Sequence, residues 1–169
     1  RTGVKVNFYL TKENIKCYMS DYFPYIFIYL VKFKYLLNGE RDRTVCSDTD
    51  LVLEGYPRSA NSFMSSIFNK HTKLNLSDHT HYSSNVLLGV KRKKRVIVLI
   101  RKPKDAIVSS ISLYVQSQVR DLNEKQENFD DDFLSNLIRL AIKRYELFYR
   151  KIKDKNILSR VEGMVLVEK

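Results

Sequence analysis

The feature that most constrains this chain is Leu51–Phe68, LVLEGYPRSANSFMSSIF. The apolar run Leu51-Val52-Leu53 reads as a short buried strand. Glu54-Gly55-Tyr56-Pro57 breaks it, Arg58-Ser59-Ala60-Asn61-Ser62 follows, and Phe63, Met64, Ile67 and Phe68 then recur at helical spacing. Strand, tight loop and helix in that order form a phosphate cradle, in which backbone N–H groups at a helix start bind an anion with the helix dipole behind them. Set against the nucleotide-kinase pattern G-x-x-x-x-G-K-[ST], Gly55 fits the first glycine and Ser62 the hydroxyl. Ala60 stands at the second glycine and Asn61 at the lysine, so the cation that reaches the β/γ-phosphates is missing; Arg58, inside the turn, supplies one instead. The plain alternative is a strand–turn–helix corner carrying a surface arginine.

A second strand–turn–helix unit follows. Lys91-Arg92-Lys93-Lys94-Arg95, a basic and solvated run, leads into Val96-Ile97-Val98-Leu99-Ile100, a continuous apolar pentad of the kind buried in a parallel sheet. Arg101-Lys102-Pro103-Lys104-Asp105 comes next, then a helix over Ala106–Val115 with Asp105 as its N-cap. Arg101 thus stands at the carboxyl end of a strand, where open α/β sheets bind ligands. Ser109 lies one turn past Asp105, and a guanidinium beside a hydroxyl suits a terminal phosphate.

Between the two units lies Ser77–Ser84 with His79 and His81. If this piece is extended, both imidazoles point to one face. A histidine there can act as general base, while a zinc site lacks a third ligand at sensible spacing; a polar surface turn is the plain alternative. Downstream, Asp121–Asp132 reads as a mobile acidic loop. Phe133–Lys153 reads as an amphipathic helix, capped by Asp132 or a neighbour, with a core stripe that includes Leu134, Leu137, Ile138, Ala141 and Ile152. Met164–Val167 reads as a further strand. Alternation of strands and helices predicts an α/β fold, a P-loop-like three-layer sandwich with a central parallel sheet flanked by helices.

The first 47 residues form a separate aromatic, basic and helical segment, with the main domain spanning 48–169. Tyr22–Leu37 is apolar but interrupted by Lys32 and Lys34, too short an uncharged run for the ~20 residues of a membrane span. A helix packed on the domain is the preferred reading, and a membrane-surface helix with snorkelling lysines the alternative. Asn38–Arg43 reads as a linker, and Asn69–Asn75 as leaving the preceding helix. The chain starts at Arg1, as a fragment or processed chain would. Its 169 residues suffice for one sizeable core, and a net charge of +11 favours anionic partners. Cys17 and Cys46 lack metal-ligand spacing and leave pairing open.

The two units and the histidine between them resemble the sulfotransferases that use 3′-phosphoadenosine 5′-phosphosulfate (PAPS). Gly55–Phe63 is similar to their 5′-phosphosulfate loop, Y-P-[KR]-S-G-[TN]-[TS]-[WF]. Leu99–Ser109 is similar to their 3′-phosphate motif, an arginine ending a strand and a serine eight positions later. His81 matches the position of the catalytic histidine. The resemblance covers roughly Asp48 to the end and is closer to bacterial-type members. It implies transfer of a sulfuryl group from PAPS to an acceptor hydroxyl on a sugar, lipid, peptide or small alcohol. It implies His81 as base, with His79 as its rival, and Arg58 as the cation at the leaving oxygen. Arg58, Ser59, Ala60, Asn61, Ser62 and Phe63 would hold the 5′ end, with Phe63 near the adenine, and Arg101 and Ser109 the 3′-phosphate. No metal and no nucleic acid are implied. The chain departs from the pattern at Ala60, where the family has glycine, and at Arg58, where lysine is commoner. The family's later glycine-rich segment has no counterpart before Lys169. Localisation is expected to be cytoplasmic or peripheral to a membrane. A P-loop nucleotide kinase and a non-enzymatic binder of nucleic acid or anionic surfaces remain the alternatives.

Overall fold

In the computed structural model, residues 2–121, 131–154, 157, 161 and 163–167 are described. The chain begins with two helices, α1 (Thr2–Tyr22) and α2 (Pro24–Asn38). They are divided at Phe23, because Pro24 cannot donate into a continuing helix. Then follow β1 (Leu51–Gly55), α3 (Asn61–His71), β2 (Leu76–Asp78), α4 (Ser83–Lys91), β3 (Arg95–Arg101), α5 (Pro103–Asp121), α6 (Asp131–Ile152) and β4 (Gly163–Val167). The strands form one parallel sheet in the order β2-β1-β3-β4, flanked by helices. This is the expected three-layer α/β sandwich, with the expected strand at 164–167 in place as β4.

The core explains the apolar runs. Val52 of β1 and Val96 and Val98 of β3 are fully buried, and they cluster with Val86, Leu88 and Val90 of α4 and Phe148, Tyr149 and Ile152 of α6. Ile28 of α2 and Val45 belong to the same cluster, so α2 packs on the domain's own core by way of α4, while α1 lies against α6. Two glycines allow close approaches. A Cβ on Gly89 would stand 2.8 Å from a Val52 methyl, and one on Gly55 would stand 2.8 Å from the Leu99 carbonyl oxygen. The first lets α4 lie flat on the sheet; the second lets β1 run tight against β3 where both strands end.

Several local expectations need correction. The helix after β3 begins at Pro103, not Ala106. Proline suits a first helical position, and Asp105 therefore sits inside the first turn instead of capping it. The last long helix starts at Asp131, with Asp132 likewise inside its first turn. On that helix Leu137, Ala141 and Ile152 are buried as expected and Phe133 and Leu140 join them, while Ile138 is 44% exposed and lies off the core stripe. α3 continues through Asn69 to His71 before the chain turns away. The expected loop at 121–132 lies largely outside the described residues.

Candidate functional site

β1 stands between β2 and β3. The chain leaves it through α3 to one neighbour and then returns to the other, so the order of the strands reverses at β1 and β3. In parallel α/β sheets such a reversal opens a crevice at the carboxyl ends of the two strands. The loop Tyr56–Ala60 after β1 and the turn Arg101–Lys102 into α5 both border it. Two adjoining cavities of about 490 and 400 Å³ fill the crevice, sharing Arg58, Arg101 and Leu113 as walls. That is the size of a site for a small organic ligand or nucleotide.

The loop is strained in a way that opens the helix start. Arg58 and Ala60 both have left-handed backbones, φ 70° and 61°. The Ser59 N–H donates to the Tyr56 carbonyl at 3.1 Å, and its side chain is fully buried, so Ser59 serves the turn. Met64 N–H donates to the Ala60 carbonyl at 3.0 Å. The N–H groups of Asn61, Ser62 and Phe63 therefore precede the helical ladder, and no side chain caps the helix start. Ala60, Asn61, Ser62 and Phe63 all line the larger cavity.

Arginines join the two halves. Arg58 Nε donates to Ser109 Oγ on α5 at 3.0 Å. Arg101, only 8% exposed, donates from Nη1 to the Arg58 carbonyl at 2.9 Å. The end of β3 is clasped in turn by α6, where the Tyr145 hydroxyl donates to Arg101 O and the Tyr149 hydroxyl to Leu99 O, each at 2.8 Å. Burial pushes the Tyr149 phenol up to about 12, so it stays a donor at neutral pH. Asp105, Ser109, Ser112, Leu113 and Gln116 turn one stripe of α5 to the second cavity, as the Asp105/Ser109 spacing predicts.

The histidines are not extended: His79 and His81 both have φ 58°. Two left-handed residues flanking Thr80 still bring the rings together, with centroids 5.9 Å apart. They differ in what they hold. His79 Nδ1 lies 3.2 Å from Asp78 Oδ2, and its Nε2 lies 3.1 Å from Ser62 Oγ. His81 Nδ1 is 3.1 Å from the Gly55 carbonyl. Asn61 Nδ2 is 3.4 Å from the same nitrogen, but it already donates to the Gly55 and Tyr56 carbonyls at 3.2 and 3.3 Å. Nδ1 is thus the protonated nitrogen, and the lone pair of His81 is on Nε2. Burial lowers the His81 pKa, assisted by the nearby cations, so the neutral base form persists at neutral pH.

The residue beneath His81 was not singled out from the sequence. Glu54, fully buried at the end of β1, accepts from Thr80 N at 3.0 Å, Thr80 Oγ1 at 2.6 Å, Asn85 Nδ2 at 2.9 Å and His81 N at 3.1 Å. These bonds pin the backbone that carries the histidines. Burial pushes the Glu54 carboxyl up to about 7 against the pull of its donors. The available signal was a carboxylate directly continuing the apolar run Leu51–Leu53. Leu113, 49% exposed, was also missed; with Phe63, 65% exposed, it gives the crevice an apolar surface. Lys104 adds a cation to the second cavity. Among the described residues, no group of three His, Cys, Asp or Glu side chains is placed to hold a metal ion, and Cys17 and Cys46 are free.

Comparison with protein-family models, with curated protein sequences and with solved structures finds no match to this chain.

Proposed function

We propose that the chain is a sulfotransferase that uses PAPS to sulfate an acceptor hydroxyl. The observation that carries this reading is the Arg58–Ser109 bond of 3.0 Å, with Arg101 bound to the Arg58 carbonyl. It joins the two anion-binding halves of the resemblance in one crevice, at the reversal of strand order. A donor with phosphate at both the 3′ and the 5′ positions needs such a pair of sites. Backbone N–H groups of residues 61–63 and the Ser62 hydroxyl address the 5′ end. Arg101 and Ser109, with Lys104 nearby, address the 3′ end. Phe63 and Leu113 offer the base an apolar wall.

PAPS supplies an activated sulfuryl group, whose transfer resembles phosphoryl transfer in being governed by positioning and electrostatics. The acceptor hydroxyl gives its proton to His81 Nε2, the nitrogen left free by the bond to Gly55 O. Arg58 stabilises charge that develops on the leaving oxygen. His79 Nε2 is already engaged by the Ser62 hydroxyl, whereas His81 Nε2 is free, so His81 is the better base. Behind His81, against α1 and α6, is a recess of about 30 Å³, room for about one water, so the acceptor enters from the crevice side. Incubation with PAPS and a panel of sugar, lipid, phenol and alcohol acceptors should yield adenosine 3′,5′-bisphosphate in step with a sulfated product. Hydrolysis of ATP with magnesium, and no turnover of PAPS, would favour a kinase instead.

One observation favours a second reading. Ser62 Oγ is hydrogen-bonded to His79 Nε2, and Asp78 lies 3.2 Å from the other ring nitrogen, the order of nucleophile, base and carboxylate that activates serine for acyl transfer. A fluorophosphonate probe separates the two: labelling of Ser62 that is lost in His79→Ala supports the acyl-transfer reading. An unlabelled Ser62 leaves it as an anion ligand.

A further inference from the structure

α2 is apolar on both sides, yet the protein covers only one. Phe27 and Ile28 are buried at 6% and 1%, the former edge-on to Tyr82 with centroids 4.7 Å apart. On the other side Ile26, Tyr29, Leu30, Phe33, Leu36 and Leu37 are between 52% and 75% exposed. At 3.6 residues per turn these six fall within an arc of about 120°. A helix that is hydrophobic all round is normally covered all round.

Cations border this face. Lys34 is exposed at one edge of the arc. At the other, the basic run that follows α4 reaches it: Lys91 Nζ stands 4.3 Å from the centre of the Tyr25 ring, and Arg92 Nη2 donates to the Tyr29 hydroxyl at 3.2 Å. Lys93 is exposed beside them. The site described above uses none of these cations. Aromatic and leucine side chains on one face, tyrosines among them and lysines at the margins are the chemistry of a helix lying in a membrane interface. A second copy of the chain is a poorer occupant. A symmetric pairing of this face would bring two cationic rims together in a protein already at +11. No helix among the described residues is long and apolar enough to cross a membrane.

We propose that the outer face of α2 docks in the plane of an anionic bilayer, with Lys34, Lys91 and Lys93 at the headgroups. This does not depend on the sulfuryl-transfer reading. The test is flotation of the whole chain with vesicles of phosphatidylcholine alone or mixed with phosphatidylserine, at low and high salt. The chain should float with the anionic vesicles, less so with neutral ones, and salt should weaken binding. Lys91→Gln with Lys93→Gln should reduce partition to anionic vesicles about 25-fold, at about fivefold per charge. Leu36→Ser with Leu37→Ser should reduce it more than tenfold. Both pairs are exposed, so unchanged melting temperatures establish that the variants are folded. Failure of the wild-type chain to float, equal binding to both vesicles, or full binding by the leucine variant each overturns the proposal. So does a dimer in sedimentation that the leucine variant abolishes while vesicle binding is absent, which would assign the face to self-association.

Discussion

Ala60→Gly should stabilise the protein. Ala60 precedes α3 with φ 61° and ψ 22°, in the left-handed region. There the methyl group crowds the following carbonyl, at about 1–2 kcal/mol for an L-residue. Glycine removes that strain but widens the unfolded ensemble, which returns about 0.4–1 kcal/mol. The net gain is about 1 kcal/mol, and for a chain of 169 residues it raises the melting temperature by about 2–4 °C. Calorimetric or circular-dichroism melting reads it directly. Lys93→Gly calibrates the measurement, because Lys93 has φ 56° on the surface and away from the crevice. The exchange leaves the N–H groups of residues 61–63 where they are, so binding of a nucleotide should be retained. A fall in melting temperature for Ala60→Gly beside a rise for Lys93→Gly would refute the reasoning, since the methyl group would then be contributing packing that outweighs its strain.

Glu54 makes stability depend on pH. Its folded pKa is raised from 4.5 to about 7, so the folded state holds the proton more tightly and stability falls as pH rises through that window, by at most about 3 kcal/mol. Relative to Glu54→Gln, which cannot titrate, the wild type should lose melting temperature between pH 4.5 and 8; a constant difference would exclude Glu54 as the titrating group. His81→Ala should lower transfer about 10²–10⁴-fold while preserving the melting shift caused by adenosine 3′,5′-bisphosphate, because the imidazole addresses the acceptor. His79→Ala should retain measurable transfer, and the reverse pattern would exchange the two roles.

What could be read in advance was local. Leu51–Phe68 and Val96–Ser109 each carry strand, turn and helix within one short stretch, and the parallel sheet follows from two such units. The parts that could not be read depend on distant partners. Glu54 interrupts an apolar strand, and only Thr80, His81 and Asn85, brought in by β2 and α4, explain how it is tolerated there. The backbone of His79 and His81 is left-handed without a glycine to announce it, so alternation along an extended segment was the wrong geometry, although the rings still meet. Asp105 has the chemistry of a cap, but Pro103 begins the helix earlier because its missing N–H costs nothing at a first position. In α2, apolar residues on both faces could not indicate which face the fold would cover.

The central claim is that one crevice holds a phosphate at each end of a nucleotide, and its most direct test is a comparison of ligands that differ in one phosphate. Thermal melting with saturating adenosine 3′,5′-bisphosphate should show a larger rise than with AMP, because the second phosphate meets Arg101 and Ser109. Ser109→Ala should remove a good part of the difference, at about 1.5–3 kcal/mol for a hydrogen bond to a charged group. Equal rises for the two nucleotides, with Ser109→Ala without effect on either, would contradict it.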